Sequence, residues 1–439
     1  MDADLLIHAR WVIPVEPERQ VLHHHALAVR EGRIAALLPS DRARREISAG
    51  EVMELPEHAL IPGLVNAHTH AAMTLFRGLA DDLPLMEWLQ NHIWPAEQRW
   101  VGPAFVAAGT RLALAEMIRS GTTCFNDMYF HPDVTAEAAL AAGLRAVVGM
   151  ILIDFPSSWA ADAGEYFDRG LALHDRYRHE PLVKMVFAPH APYTVSDQPL
   201  EKVRTLAEEL GLPVHIHVHE TAAEVADFEQ RHGERPLAHL DRLGLLGPNL
   251  VAVHMTQLGD AEIDRLAETG VKVVHCPQSN LKLASGFCPV ARLLASGVTV
   301  ALGTDGAASN NDLDMLDEMR CAALLAKGVA GDAAAVPAHQ ALAMATLHGA
   351  RALGLEEETG SLVAGKWADL AAVKLGAVET TPLYDPISHL VYAAGREQVT
   401  HLWVAGKALM AERKLLTLDE TAILKEACKW ADRVHNDQS

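Results

Sequence analysis

The sequence is short of cysteine and of basic residues, and each shortage bears on what the protein can be. Five cysteines occur in 439 residues and none of them forms a CxxC pair, so neither a disulfide scaffold nor a cysteine-based zinc site is expected. The 37 lysines and arginines are outnumbered by 57 aspartates and glutamates, which gives a net charge of −20. Because such an acidic chain repels phosphate backbones, nucleic acid is not expected as a partner.

Long apolar runs are also missing, although half of the residues are apolar (50%). No stretch of about 18 apolar residues occurs, so we expect neither a membrane-spanning helix nor a membrane partner. Residues 1–4, MDAD, lack the basic start of a signal peptide, and we expect a cytoplasmic protein. Acidic enzymes of this size are often dimers or tetramers, so a homo-oligomer is expected.

The middle of the chain alternates between short apolar runs and helical patterns, which indicates repeated βαβ units. The apolar runs are 60–66, 122–127, 145–154, 183–190, 213–220, 250–254, 271–277 and 298–305. Helices are predicted over 104–120, 198–210, 261–269, 315–325 and 340–352. Eight such repeats in about 250 residues predict an α/β fold, a (β/α)₈ TIM-like barrel. A doubly wound sheet is the alternative, but no GxGxxG follows the first run.

Both ends of the chain are rich in short strands and turns, and neither end is long enough to bury a core alone. We predict that residues 1–59 and 361–439 join in one small β-sandwich domain, whose second part ends in a helix. The barrel is predicted to fill residues 60–360.

Imidazoles and carboxylates stand at the C-terminal ends of five of the predicted strands. They are His68, His70, His190, His217, Glu220, His254 and Asp305. In a barrel these ends meet at one rim, where active sites are found. His68 and His70 are two residues apart and therefore point to the same side of a strand. A lone HxH is as often a pair of buried, hydrogen-bonded histidines as a metal site, but the other rim groups favour a metal.

The types of donor favour one metal over others. Three histidines and one aspartate without a nearby cysteine suit Zn²⁺, with Fe²⁺ as the alternative. On the fifth run His215, His217 and His219 share one face, and each of them is a candidate ligand. We interpret His215 as a core histidine or a support for a ligand, and His219 as the weaker competitor of His217. Glu220 follows directly and offers a carboxylate for proton transfer.

Several motifs resemble those of the amidohydrolase superfamily. They are PGLVNAHTH at 62–70, HVHE at 217–220 and GTDGAASN at 303–310. With MTLFRG at 73–78 and PHAPY at 189–193, the chain resembles the 5′-methylthioadenosine/S-adenosylhomocysteine deaminases. The resemblance extends to GKWADL at 365–370. It implies a zinc enzyme that deaminates a purine nucleoside by hydrolysis, namely 5′-methylthioadenosine or adenosine.

The resemblance also implies a role for each rim residue. The implied metal ligands are His68, His70, His217 and Asp305. The implied catalytic residues are Glu220, which protonates the purine ring, His254, which orients the attacking hydroxide, and Asp305, which takes a proton from the water. The implied substrate contacts are Glu97 on the ribose hydroxyls, His190, Glu220, and Ser309 on the purine. A carboxylate such as Glu97 suits a ribose diol because it accepts two hydrogen bonds.

The sequence differs in two respects from the family that it resembles. Family members that act on S-adenosylhomocysteine hold its carboxylate with arginines after the third strand, whereas Met150 stands where one of them would fall, and Arg169 lies further on. We therefore expect S-adenosylhomocysteine to be a poorer substrate than methylthioadenosine. Relatives with two metals use a carboxylated lysine at the end of the fourth strand, but Lys184 lies at its start, so one metal per chain is expected.

Alternatives stay open for one predicted pocket and for the function as a whole. Trp88, Phe155 and Trp159 are candidates for an apolar pocket around a methylthio group, and ordinary packing is the alternative. A related amidohydrolase acting on guanine or an s-triazine is the second functional hypothesis. A free base has no ribose hydroxyls for Glu97 to bind, which argues against it. A barrel without catalysis, serving as a binding or assembly protein, is the third, but all of the predicted metal ligands are present.

Overall fold

The structure, a computed structural model, describes residues 1–436; residues 437–439 of the predicted terminal domain lie outside the described part. The strands are β1 (Asp2–Val12), β2 (Leu22–Arg30), β3 (Arg33–Pro39), β4 (Ser48–Pro62), β5 (Leu64–Thr69), β6 (Thr122–Asp127), β7 (Arg145–Leu152), β8 (Val183–Pro189), β9 (Val214–Val218), β10 (Leu250–His254), β11 (Lys272–His275), β12 (Val300–Leu302), β13 (Leu370–Lys374), β14 (Val399–Val404), β15 (Lys407–Ala411) and β16 (Lys414–Leu415).

The helices lie mostly between the strands of the middle region. They are α1 (Ser40–Glu46), α2 (Leu85–Trp88), α3 (Trp94–Trp100), α4 (Pro103–Arg119), α5 (Pro132–Ala142), α6 (Ala163–Tyr177), α7 (Asp197–Leu210), α8 (Ala222–His232), α9 (Pro236–Arg242), α10 (Asp260–Thr269), α11 (Pro277–Lys282), α12 (Val290–Ala295), α13 (Met315–Ala330), α14 (Ala338–Met344), α15 (Leu347–Ala352), α16 (Pro386–Tyr392) and α17 (Glu420–Asn436). Short 3₁₀ segments cover Ala71–Phe76, Val378–Thr380 and Arg396–Gln398, and Leu89–Ile93 is π-helical.

Strands β5 to β12 form one parallel sheet of eight strands that follow each other in chain order. The first strand, β5, is joined to the residues that directly follow the last strand, β12. The backbone N–H of Asp305 donates to the carbonyl of His68 at 3.0 Å, and the Asn66 amide exchanges hydrogen bonds of 2.8 and 3.0 Å with Thr304. The sheet is therefore a nearly closed barrel, which confirms the predicted fold class.

Each predicted apolar run contains or overlaps one barrel strand. Runs 122–127 and 250–254 coincide with β6 and β10, whereas most of the others are longer than the strands they contain. The match is close because barrel strands are covered on both faces, so their residues are apolar almost throughout. Every residue of β5, β6, β7, β9 and β10 is buried.

The two ends of the chain meet in a second sheet of eight strands, in the order β16-β15-β14-β13-β4-β1-β2-β3. The junction is the antiparallel pair of β13 and β4, in which Leu370 faces Pro62. The terminal domain built from both ends is thus present. Strand β4 runs across the predicted boundary at 59/60 and leads directly into β5. The exact domain limits stay a prediction.

One predicted helix is wrong. Residues 340–352 form two helices, α14 and α15, because Thr346 between them has φ −134° and ψ −93°. Helix 315–325 is longer than predicted and continues to Ala330, where Gly331 ends it with φ 63°. Within residues 1–436 no single helix is long and apolar enough to cross a membrane. Residues 85–100 and 103–119 reach that length and composition only jointly, and they are bent by 112°.

Candidate metal centre and active site

Four side chains converge at the C-terminal rim of the barrel. His68 lies near the end of β5 and His70 directly follows that strand, His217 lies on β9, and Asp305 follows β12. One potential ligand atom from each lies within 4.8 Å of the others. The Nε2 atoms of His68 and His70 are 3.3 and 3.2 Å from Asp305 Oδ1. These are the four residues that the sequence singled out, and the barrel brings all of them together.

Two of these imidazoles are oriented by backbone carbonyls. His70 Nδ1 donates to the Met128 carbonyl at 2.5 Å, and His217 Nδ1 donates to the His190 carbonyl at 2.7 Å. A carbonyl only accepts hydrogen bonds, so in the neutral ring the proton is on Nδ1 and the Nε2 lone pair is free. That lone pair is the group that binds a metal.

The third imidazole is held by another histidine. His68 Nδ1 lies 2.8 Å from His215 Nε2, and His215 Nδ1 lies 3.0 Å from the Asn126 side chain. His215 therefore holds the His68 ring in place and does not itself belong to the group of four converging side chains. His219 points elsewhere, because its Nε2 accepts a hydrogen bond from the Leu237 backbone at 3.2 Å.

The Asp305 carboxylate is held by two hydroxyls. Ser279 Oγ and Ser309 Oγ donate to Oδ2 at 2.7 and 2.8 Å, so Oδ1 is left facing the histidines. The approach of this loop to β5 requires Gly303, because a Cβ there would lie 2.7 Å from the His68 backbone nitrogen. Sequence reasoning missed Ser279, since nothing in its local pattern distinguishes it.

The electrostatics suit an arrangement that holds a cation. Burial lowers the pKa of His68 to about 4, and burial and then His68 lower the pKa of His217 well below its ordinary value. Burial alone would lower the pKa of His70, but hydrogen bonding to Asp305 raises it to about 9. Burial would raise the pKa of Asp305, yet His68 and His70 hold it well below its ordinary range. The centre therefore contains the ionised carboxylate of Asp305, which stabilises positive charge beside it, together with the neutral rings of His68 and His217.

A pocket opens directly above the four converging side chains. The predicted substrate and catalytic residues all line it: Trp88, Glu97, His190, Glu220, His254, Asp305 and Ser309. Phe155 also lines it. Trp159, by contrast, packs against the ring of His131, with 5.5 Å between the ring centroids. Its proposed place in an apolar pocket is wrong, and ordinary packing is its role.

Glu97 reaches the pocket from α3, a short helix that continues the π-helical turn Leu89–Ile93. Tyr129 OH donates to Glu97 Oε1 at 2.8 Å, which fixes the carboxyl group in the pocket. Burial raises the pKa of Glu97 to about 7, although the hydrogen bond from Tyr129 opposes this. Tyr129 comes after β6, where no sequence motif distinguishes it.

Glu220 and His254 face each other across the pocket. Glu220 Oε2 lies 3.8 Å from His254 Nε2, and Ser285 Oγ donates to Glu220 Oε1 at 3.4 Å. Burial raises the pKa of Glu220. His254 Nδ1 donates to Asn280 Oδ1 at 2.8 Å, which directs Nε2 toward the pocket. His254 has φ 75° and Asp305 has φ 63°, a strained backbone that is common at active sites.

His190 is a pocket residue without a charge. Its Nδ1 lies 2.9 Å from Thr194 Oγ1. Burial, followed by the nearby charges of His70 and His68, lowers the pKa of His190 to about 3. The neutral ring can donate or accept one hydrogen bond with a bound molecule but offers no ion pair.

Met150 and Arg169 do not face the pocket. Met150 packs outward against Gly170 of α6, where a Cβ would come within 3.0 Å of the Met150 Cβ. Ile151 of β7 and Ile153, which directly follows the strand, point the other way and line the pocket. Arg169 pairs with Glu165. Met150 therefore does not line the pocket and its identity does not bear on S-adenosylhomocysteine, so the preference for methylthioadenosine stays a prediction.

The amidohydrolase family profile matches residues 59–409. A curated relative from Saccharophagus degradans, named 5-methylthioadenosine/S-adenosylhomocysteine deaminase, is 51% identical over 98% of this chain and 97% of its own. The crystal structure of an adenosine deaminase from Xanthomonas campestris with bound zinc is 56% identical, covers 99% of both chains and has a TM-score of 0.98. Atrazine chlorohydrolase from Arthrobacter aurescens, 22% identical over 97% of this chain and 100% of its own with a TM-score of 0.91, shares the fold.

Proposed function

The chain belongs to the amidohydrolase family, and on this basis we propose that it is a zinc-dependent deaminase of 5′-methylthioadenosine, with adenosine as a second substrate. The reaction replaces the 6-amino group of the purine by oxygen from water and releases ammonia. The observation that carries the proposal is the pairing, in one pocket, of a four-donor metal centre with the Glu97 carboxylate. The family and the named relatives support the deaminase class, and the pocket supports a nucleoside.

We propose that one Zn²⁺ per chain is held by His68, His70, His217 and Asp305. The donor set fits this ion, because three imidazole nitrogens and one carboxylate oxygen are typical zinc ligands. Backbone and side-chain partners hold the other nitrogen of each ring and the other oxygen of Asp305, so the four potential ligand atoms face one another. A bound Zn²⁺ would supply Lewis acidity, which lowers the pKa of water from 15.7 to about 7.

The proton movements are assigned to three residues. Asp305 takes a proton from the attacking water, and its low pKa keeps it ionised for that purpose. Glu220 gives a proton to purine N1 as C6 becomes tetrahedral, and its raised pKa keeps it protonated to a higher pH than an ordinary glutamate. His254, with Nδ1 held by Asn280, orients the water through Nε2. Ammonia leaves with the proton passed back from Asp305, and the proton that remains on the new hydroxyl goes to Glu220, which gives the 6-oxo product and restores the starting protonation of both carboxyl groups.

The remaining pocket residues distinguish a nucleoside from a free base. Glu97, fixed by Tyr129, would accept hydrogen bonds from both ribose hydroxyls. Trp88 and Phe155 supply apolar surface for the 5′ substituent, and His190 supplies one neutral hydrogen bond. Ser309, which holds Asp305, is proposed to contact the purine as well. A homo-oligomeric state and a cytoplasmic location stay predictions.

The test is an ultraviolet assay of the metal-replete protein with methylthioadenosine, adenosine, adenine and guanine. Loss of the 6-amino group shifts the purine absorption band, so no coupling enzyme is needed. We expect conversion of both nucleosides and none of the free bases. Conversion of guanine alone would replace the proposal by a guanine deaminase, and inactivity of protein with one zinc per chain would favour a binding role.

A further inference from the structure

Helix α13 contains a buried glutamate that the proposed proton movements do not use. Glu318 lies in the first turn of this helix, and its side chain is fully buried. A glutamate is rarely buried to this extent unless its carboxyl group is held by hydrogen bonds. The partners of Glu318 therefore indicate what it does.

One oxygen of Glu318 holds the loop that contains Asp305, which we name the Asp305 loop (residues 303–310). Oε1 accepts a hydrogen bond from Asn310 Nδ2. The same nitrogen donates to the carbonyl of Thr304 at 2.7 Å, so Asn310 joins the two ends of the loop. Ser309, which donates to Asp305 Oδ2 at 2.8 Å, lies inside it. Glu318 therefore fixes the loop from which both side chains project.

The other oxygen of this carboxyl group holds the first turn of α11. Oε2 accepts a hydrogen bond from the Gln278 backbone N–H at 3.4 Å. Ser279 follows and donates to Asp305 Oδ2 at 2.7 Å. Asn280 comes next and lies 2.8 Å from His254 Nδ1. Helix α11 therefore connects the same carboxyl group to both side chains that are proposed to act on the attacking water.

Both contacts need an acceptor atom on Glu318. Burial raises the pKa of Glu318 well above its ordinary value, and the hydrogen bonds from Asn310 and Gln278 oppose this. A carboxyl group can accept at both oxygens even when it is protonated, whereas an amide accepts only at its single oxygen. Glu318→Gln would therefore keep the volume of the side chain but leave one of the two N–H donors without an acceptor.

We propose that Glu318 is a positioning residue for the hydrolytic step, which holds the Asp305 loop and helix α11 in a fixed relation to each other. Glu318 does not line the pocket, so it acts only through these two segments. Glu97, which is proposed to bind the ribose, lies on α3 and depends on neither of them. The effect of Glu318 on the rate rests on the proposed deaminase function, whereas its effect on the metal centre does not.

The first experiment measures the affinity of Glu318→Gln for Zn²⁺ by competition with a chelator. We expect a loss of about 10- to 100-fold, because Asp305 is less well oriented. Asp317→Asn is the matched control, since it makes the same change from carboxyl to amide one residue earlier on α13. The Asp317 carboxylate is half-exposed and accepts from the Gln278 side chain at 2.7 Å, which an amide oxygen can also do. Its affinity should stay within about twofold of the wild type.

The second experiment compares kcat and KM for methylthioadenosine in protein shown to hold one zinc per chain. In Glu318→Gln, kcat should fall about 10- to 100-fold while KM stays within about twofold, because the ribose contact of Glu97 is untouched. A purely structural role would lower the unfolding temperature and leave kcat of the folded, zinc-loaded protein unchanged. That result would overturn the proposal.

Asn310→Ala breaks the same contact from the other side, so it tests the proposal even if Glu318→Gln does not fold. In the variant with both substitutions, the loss of zinc affinity should be smaller than the product of the single losses. Wild-type zinc affinity in Glu318→Gln, an equal loss in Asp317→Asn, or losses that multiply fully would each overturn the proposal. If the wild-type protein converts neither nucleoside, the proposed function fails, while the chelator measurement still decides the role of Glu318.

Discussion

The guanidinium of Arg145, at the start of β7, binds the carboxylate of Asp369 in two parallel hydrogen bonds of 2.8 and 3.2 Å. Both side chains are almost fully buried, at 3% and 0% exposure. Asp369 also accepts a hydrogen bond from the Ala405 backbone at 2.8 Å. The pair therefore connects the barrel to the terminal sheet. It gives a structural role to the aspartate of the motif GKWADL at 365–370.

Removing one partner should destabilise the whole chain. In Arg145→Met the Asp369 carboxylate stays buried without its ion pair, and we expect the free energy of unfolding to fall by about 3–5 kcal/mol. Denaturant unfolding of the metal-replete protein measures this. Arg176→Ala, which breaks the exposed pair with Glu137 at 2.9 Å, should cost less than about 1 kcal/mol. Equal effects of the two variants would show that the junction does not depend on the buried pair.

The metal centre should depend on the hydroxyls behind it. Ser279→Ala removes one of the two donors that hold Asp305 Oδ2 and leaves only Ser309, so the orientation of the carboxylate is less restrained. We expect the affinity for Zn²⁺ to fall by about 10- to 100-fold, measured by competition with a chelator. Ser285→Ala is the control, because that hydroxyl contacts Glu220 and not Asp305. An unchanged affinity in Ser279→Ala would mean that the ligands are positioned without it.

Nucleoside binding should lose strength as the pH falls through about 7. Burial raises the pKa of Glu97 to about 7, so the group is ionised above that pH and protonated below it. A protonated carboxyl accepts fewer hydrogen bonds, so KM for methylthioadenosine should rise on acidification. In Glu97→Gln, kcat/KM should fall about 10- to 100-fold and this pH dependence should vanish. Glu87→Gln, on the exposed side of α2, should behave like the wild type.

The barrel and most of the rim were predictable because a buried parallel strand carries a local signal. Its residues are apolar nearly throughout, and the polar residue at its end marks the rim. His68, His217 and Asp305 were found in this way, although they are far apart in sequence. Their roles as metal ligands stay predictions that the chelator and activity experiments test.

The direction in which a side chain points was less predictable. Side chains alternate along a strand, so an error of one residue reverses the face. Met150 illustrates this, since its neighbour Ile151 lines the pocket while Met150 itself packs on α6. Contacts between separate segments of the rim, such as the hydrogen bond from Tyr129 to Glu97, could not be predicted, because they depend on how these segments pack together.

The rate should fall at high pH because Glu220 must be protonated. Burial raises its pKa, so the group keeps its proton through a range in which an ordinary glutamate is ionised. As the pH rises beyond the raised value the proton is lost, and kcat declines. Glu220→Gln should lower kcat by about 10²- to 10⁴-fold and remove this decline. The hydrogen bond from Ser285 favours the ionised form, so Ser285→Ala should move the decline to higher pH. A shift to lower pH in Ser285→Ala, or a decline that persists in Glu220→Gln, would assign the titration to another group.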